Sequence, residues 1–207
     1  MNGYLRKDGR KGIRNIIVVT YLVECAHHVA DMIVREFPLK DDVHVVGFGG
    51  CAPNDYAERM MQELCTHPNV GGVVICSLGC ENFNRDRLLN NVRDSGREAS
   101  LIVIQDVGGT RTAIDKGVEA VREMLSITKR HKRVTMELSD LCIGTVCGGS
   151  DAWSGLTANP SVGRTFDRLV SAGATCIFEE PGELIGCEDM LRRRGADTET
   201  GNKLFDC

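Results

Sequence analysis

The stretch Asn15–Phe37, "NIIVVTYLVECAHHVADMIVREF", changes its hydrophobic period halfway along. Asn15–Leu22 is a run of β-branched residues of strand length. From Glu24 onward Ala26, Val29, Ala30, Ile33, Val34 and Phe37 repeat at helix spacing, so the stretch predicts a strand leading into an amphipathic helix. The same alternation continues downstream. Strands are expected at 43–48, 70–78 and 101–105, and helices at 54–65, 84–97 and 112–126. Short links between these elements point to an α/β fold: a parallel open sheet with helices on both faces, Rossmann-like.

The basic run "TKRHKR" (128–133) interrupts the pattern and reads as a connection. Beyond it lie apolar stretches at 134–138 and 141–146, a helix at 160–172, a strand at 175–178 and a helix at 182–194. The expected organisation is a Rossmann-like domain over 1–130 followed by the start of a second, incomplete α/β unit over 131–207. With 207 residues, 42% of them hydrophobic and 26% charged, the composition is that of an ordinary globular chain. A net charge of -4 supplies no basic field for nucleic acid or an anionic membrane. The apolar runs are far shorter than the ~20 residues of a membrane span. The start of the chain is charged and Gly-rich rather than a signal peptide, which makes cytoplasmic the expected location.

In an open parallel sheet, ligands gather outside the carboxyl ends of the strands. The glycine-rich stretches fall there: "GFGGCAPND", "SLGCENFNRD", "QDVGGTRT" and "CGGSDAWSGLTANP", with "FEEPGE" after the last strand. Glycines let backbone N–H groups approach an anion, and helix N-termini favour negative charge. Gly108, Gly109 and Thr110 form one such cradle. No Walker loop and no G-x-G-x-x-G is present, which disfavours an NTP or dinucleotide enzyme.

Of ten cysteines, Cys76, Cys142 and Cys176 lie in apolar runs and Cys25 and Cys65 on helices, all read as packing. Cys51, Cys80 and Cys147 sit among glycines after strands, as free thiols at turns or as soft ligands for iron or zinc. Carboxylates follow closely, Glu81 after Cys80, Asp151 after Cys147, and Glu179 and Glu180 at the last strand end; each is a base, a metal ligand or a solvated acid. The histidines form no H-E-x-x-H pair. Near the N-terminus, Arg6, Arg10, Arg14 and Asn15 run into the first strand, and arginine forks suit an acidic small substrate.

The motifs "GYLRKDGRKGIRN", "HPNVGGVVICSLGCE", "IQDVGGTRTAI", "CGGSDAWSGLTANPSVG" and "GCEDML" together resemble the altronate/galactarate dehydratase family, which also includes the large subunit of sulfolactate sulfo-lyase. The resemblance spans essentially the whole chain. It implies a lyase that dehydrates a sugar acid to a 2-keto-3-deoxy acid with ferrous iron, an iron–sulfur cluster being the alternative. By the same resemblance Cys51, Cys80 and Cys147 are the metal thiolates, and Asp151, Glu81 and Glu180 the catalytic carboxylates. Gly148, Gly149 and Ser150 cradle the substrate carboxylate, Ser154 and Thr157 read hydroxyls, and Asn159 caps the helix that opens at Pro160. The chain departs from the family in two respects: it resembles a shortened or truncated member, and "VVGFGGCAPND" lacks the histidine the family often carries there. A second reading follows, a non-catalytic binding or scaffold half. Expected partners are the anionic hydroxy acid, a small N-terminal-type subunit or a missing C-terminal half, and further copies of the chain.

Overall fold

The computed structural model describes residues 1–205, which divide into two compact units, 1–136 and 137–205.

The first unit is built around a four-stranded parallel sheet in the order β4-β3-β5-β6. Its elements are β3 (Ile16–Tyr21), α1 (Glu24–Arg35), β4 (Val43–Gly47), α2 (Asp55–Cys65), β5 (Val70–Ser77), α3 (Arg85–Asp94), β6 (Glu98–Val103) and α4 (Thr110–Thr128). Alternating side chains divide the core between the two faces, as a period of two requires. Ile17, Val19, Val74, Cys76 and Ile102 pack under α1 and α4. Val18, Val73 and Ile75 face the other way, against Met61, Leu88 and Val92 of α2 and α3. Every residue of β5 is buried, which fits its unbroken apolar run at the centre of the sheet.

The helix caps follow sequence signals. Asn54 and Asn84 accept hydrogen bonds from the N–H groups of Ala57 and Arg87 at the starts of α2 and α3. α3 ends at Asp94, before Gly96 in the left-handed region at φ 79°, and β6 starts at Glu98, three residues earlier than expected.

Three short strands escape the sequence pattern. β1 (Asn2–Leu5) and β2 (Lys11–Gly12) form a small hairpin ahead of the first sheet strand. The basic segment turns back, so that β7 (Val134–Thr135) pairs with the other edge of β1. Close approach decides this corner: a Cβ on Gly12 would meet the Pro68 main chain.

The second unit pairs two parallel strands, β8 (Cys142–Thr145) and β9 (Thr175–Phe178), joined through α5 (Asn159–Ser171). α6 (Glu188–Arg194) and α7 (Thr198–Phe205) follow. The helix expected at 182–194 is divided into a 3-10 turn and α6 by Gly186 at φ 89°. In this unit Trp153, Leu156, Ile177 and Phe178 are exposed. The helical path into α5 begins earlier than Asn159: a π-helical turn spans Ser154–Ala158, and Asn159 is already in helical conformation. Asp151 accepts from the Ser154 N–H at 2.8 Å and is the residue that caps this start. The expected cap at Asn159 is therefore corrected. Pro160, which has no N–H to give, is accommodated beside the wider π turn.

Among the described residues no helix is long and apolar enough to cross a membrane.

Candidate functional site

Because the strand order places β3 beside β5, the chain leaves toward opposite faces at their carboxyl ends, which opens a crevice there. Main-chain hydrogen bonds tie together the loops that meet at this edge. The Glu24 N–H donates to the Gly49 carbonyl at 3.2 Å, Asn82 N–H to Cys51 at 2.8 Å, and Gln105 N–H to Leu78 at 3.1 Å. Gly79, at φ 124°, leaves room for Gln105: a Cβ there would lie 2.7 Å from its Oε1.

The Asn82–Cys51 bond brings the stretches carrying Cys51, Cys80 and Glu81 together, and both cysteines are exposed and free. Glu81 is buried, with one carboxylate oxygen accepting from the Ser77 hydroxyl and the other from the Gly79 N–H. Burial pushes its pKa up, but those two donors, its own N–H and the charge on Arg85 outweigh burial and leave it below the ordinary carboxylate value. The carboxylate thus braces the turn as an anion.

A depressed folded-state pKa stabilises the fold above the unfolded value of about 4.3 and ceases to do so as pH falls through the folded value. Glu81→Gln is expected to cost about 2 kcal/mol in urea unfolding at pH 7. The difference should shrink at pH 3.5; a pH-independent difference would contradict the role.

The α4 N-terminus completes this edge. Gly108 and Gly109 lie at φ 96° and 103°, no side chain caps the helix, and its first turn holds no acid. Space around Gly109 is open. Uncapped N–H groups behind a glycine pair are suited to a carboxylate.

A pair not anticipated from the sequence stands at the start of α1. His27 Nδ1 lies 3.0 Å from Glu24 Oε1, and its ring stacks on Tyr21 with centroids 4.5 Å apart. A carboxylate at Nδ1 holds the neutral ring's proton there and leaves Nε2 as a base. The signal was available as Glu and His three apart in a first turn, though such spacing is common on solvated helices.

The N-terminal arginines occupy the opposite, amino-terminal edge of the sheet. Arg6 Nε donates to the Pro68 carbonyl at 2.6 Å, and Arg10 binds Asp8 and the Thr66 carbonyl. Arg14 pairs with Asp42, and the Asn15 side-chain amide donates to the Thr128 carbonyl.

In the second unit, the ends of β8 and β9 are joined by the Glu179 N–H donating to the Thr145 carbonyl at 3.3 Å. Cys147 is exposed, its Sγ 4.0 Å from Ser150 Oγ. The Asp151 carboxylate accepts from the Ser154 N–H and hydroxyl, which hold its pKa low. Ser154 Oγ also lies 3.3 Å from the Gly149 carbonyl, and Thr157 donates to the Trp153 carbonyl at 2.8 Å. The surroundings of Gly148 and Gly149 are open. Glu180 takes the left-handed conformation at φ 63°, a strained position for a side chain that recurs at functional sites.

Among the cysteines read as packing, Cys65 and Cys76 are buried, and burial raises both thiols to about 12. Cys25 and Cys142 are exposed, because their positions on α1 and β8 face away from any core. Among the described residues, no three His, Cys, Asp or Glu side chains meet in a way that could hold a metal ion.

Residues 3–129 match the family model for the second domain of D-galactarate dehydratase/altronate hydrolase, and residues 138–207 the C-terminal domain of D-galactarate/altronate dehydratase. The chain is 31% identical to altronate dehydratase of Bacillus subtilis, with 99% of this chain and 43% of that protein covered. It is 32% identical to galactarate dehydratase (L-threo-forming) of Escherichia coli, at 99% and 43% coverage. Identity to (2R)-sulfolactate sulfo-lyase subunit beta of Chromohalobacter salexigens is 31%, at 99% and 53% coverage. The chain therefore spans about half the length of these relatives.

Proposed function

The chain belongs to the D-galactarate/altronate dehydratase family, and on that footing we propose that it carries the dehydration of a sugar acid such as galactarate or altronate. The observation that supports this most directly is the one edge where the tied loops, the uncapped α4 N-terminus and the Glu24–His27 pair occur together.

In such a β-elimination a base removes the proton on the carbon α to the carboxylate, and the β-hydroxyl leaves with a proton as water. The resulting enol becomes a 2-keto-3-deoxy acid. Charge builds on the carboxylate oxygens as the C–H bond breaks, and N–H donors fixed in place stabilise it without reorganising. In this reading the N–H groups at Gly108 and Thr110 hold that carboxylate, while the Gly109 N–H, spent on the Ile104 carbonyl at 2.9 Å, fixes the turn that presents them. His27 Nε2 accepts the proton, and Glu24 at Nδ1 orients the ring and stabilises the imidazolium. Glu81 shapes the turn that presents Cys80. The second unit offers its own group: Gly148, Gly149 and Ser150 for oxyanions, and Asp151, Ser154 and Glu180 for hydroxyls or proton transfer.

Ferrous iron enters by family likeness. Among the described residues the donors of neither unit make a three-ligand set, so none of these steps is assigned to it. The name of the sulfo-lyase relative, a subunit beta, suggests an accompanying chain for this one as well.

The test is formation of a 2-keto-3-deoxy acid from galactarate or altronate under anaerobic conditions, with and without ferrous iron, by the chain alone and by the chain combined with its remaining family domains. Product is the expected result; its dependence on ferrous iron, with iron content that falls in Cys147→Ala, would show that Cys147 supplies one ligand of a set completed outside the described residues. Absence of product in every combination would favour the scaffold reading.

A further inference from the structure

The amino-terminal edge of the sheet, remote from the strand ends considered so far, has a cavity of about 270 Å³ within the first unit. That size suits a ligand smaller than a drug-like molecule. Tyr4, Arg6, Lys7, Ser95, His131 and Lys132 line it, and no acidic residue does.

The polar groups of this lining are mainly donors. His131 Nδ1 faces the Asn15 amide nitrogen at 3.3 Å, so it accepts from that amide and the neutral ring carries its proton on Nε2. The Tyr4 oxygen accepts from Arg133 Nε at 3.2 Å, which leaves its own proton to donate. Lys7 spends one of its three N–H groups on the Asp94 carbonyl, and Lys132 adds a second ammonium.

A second observation points the same way. Arg6 and Arg97 are 8% and 5% exposed, and both guanidiniums donate to main-chain carbonyls. Neither has a carboxylate partner among the described residues, and the nearby Asp8 is bonded to Arg10. Burial, reinforced by Arg97, brings Arg6 down to about 10. Buried charges are normally paired, and here Asp8, already bonded to Arg10, is the carboxylate whose charge acts on both arginines, so this corner carries more positive charge than negative.

We propose that this cavity is a second ligand site, which takes a small doubly charged oxyanion, a phosphate or a dicarboxylate, between Lys7, His131, Lys132 and Tyr4. It rests on the first unit alone and stands whether or not the dehydration reading does.

Thermal melts of the full chain in 10 mM phosphate, 10 mM malonate and sodium chloride of matched ionic strength test the site, with titration calorimetry for affinity. At least one of the two anions should raise the melting temperature by about 3 °C above chloride. Phosphate alone would identify a phosphoryl ligand, malonate alone a dicarboxylate, and both a general oxyanion site. The double variant Lys7→Gln/Lys132→Gln should weaken binding at least fivefold and remove most of the anion-dependent increment, whatever its own baseline. No increment over chloride with either anion, or an equal increment in the variant, overturns the proposal.

Discussion

Gly12→Ala is expected to lower the unfolding free energy by about 3 to 5 kcal/mol, whereas Gly9→Ala, three residues earlier in the same hairpin, should cost only about 1 kcal/mol. The contrast follows from what each new methyl would meet. A Cβ on Gly12 would lie 2.1 Å from the Pro68 carbonyl oxygen and 2.9 Å from the Asn69 nitrogen, so one main chain would have to move off another. Pro68 O is also the acceptor of the 2.6 Å bond from the buried Arg6, and that bond would be stretched or lost. At Gly9 nothing lies within 4 Å, and the cost is that of placing a side chain at φ 87°. Urea unfolding of both variants checks this. Equal losses would mean that the hairpin can lift from the α2–β5 turn without penalty.

That same corner separates what was legible in the sequence from what was not. β3 and α1 were readable because a single segment of chain shows its own change of period, and burial in the folded unit follows that period. Ile17 and Val19 face one side of the sheet while Val18 faces the other. The β1–β2 hairpin carries no such signature. It is held by Gly12 against Pro68 and by Arg6 on the same carbonyl, contacts more than fifty residues apart that no local pattern records. The arginines were read as substrate forks because their chemistry suits anions, and their hydrogen bonds lie mainly with turn carbonyls and with Asp8 and Asp42.

The entry to α5 shows a different kind of ambiguity. Asn159–Pro160 and Asp151-x-x-Ser154 are both good helix starts. The earlier one operates, because a π turn lets the helical path run through Pro160. At the candidate site, the glycines marked the loops correctly as strand ends. The Glu24–His27 pair looked like any solvated first turn until Tyr21 and the Gly49 loop were placed beside it.

The largest effect on activity should come from that pair. His27→Gln is expected to lower kcat for sugar-acid dehydration by about 10²- to 10³-fold with little change in KM, in whichever form of the protein turns over. A glutamine can occupy the ring's place but has no atom that accepts a proton near neutral pH. The substrate carboxylate, held at the α4 N-terminus in this reading, would still bind. Glu24→Gln should cost less, about tenfold, because the imidazole remains and loses only the group that fixes its tautomer. The two losses should not add: once His27 is gone, Glu24 has no ring to orient, so the double variant should match His27→Gln. His27 is half-buried on the first turn of a helix whose core face is Ala26, Val29, Ala30 and Ile33, so the fold should tolerate its replacement. An unchanged melting temperature with kcat within threefold of the parent would remove His27 as the base and return the role to the carboxylates of the second unit. A fall in kcat together with additive losses in the double variant would mean that Glu24 acts on the substrate itself and not through the ring.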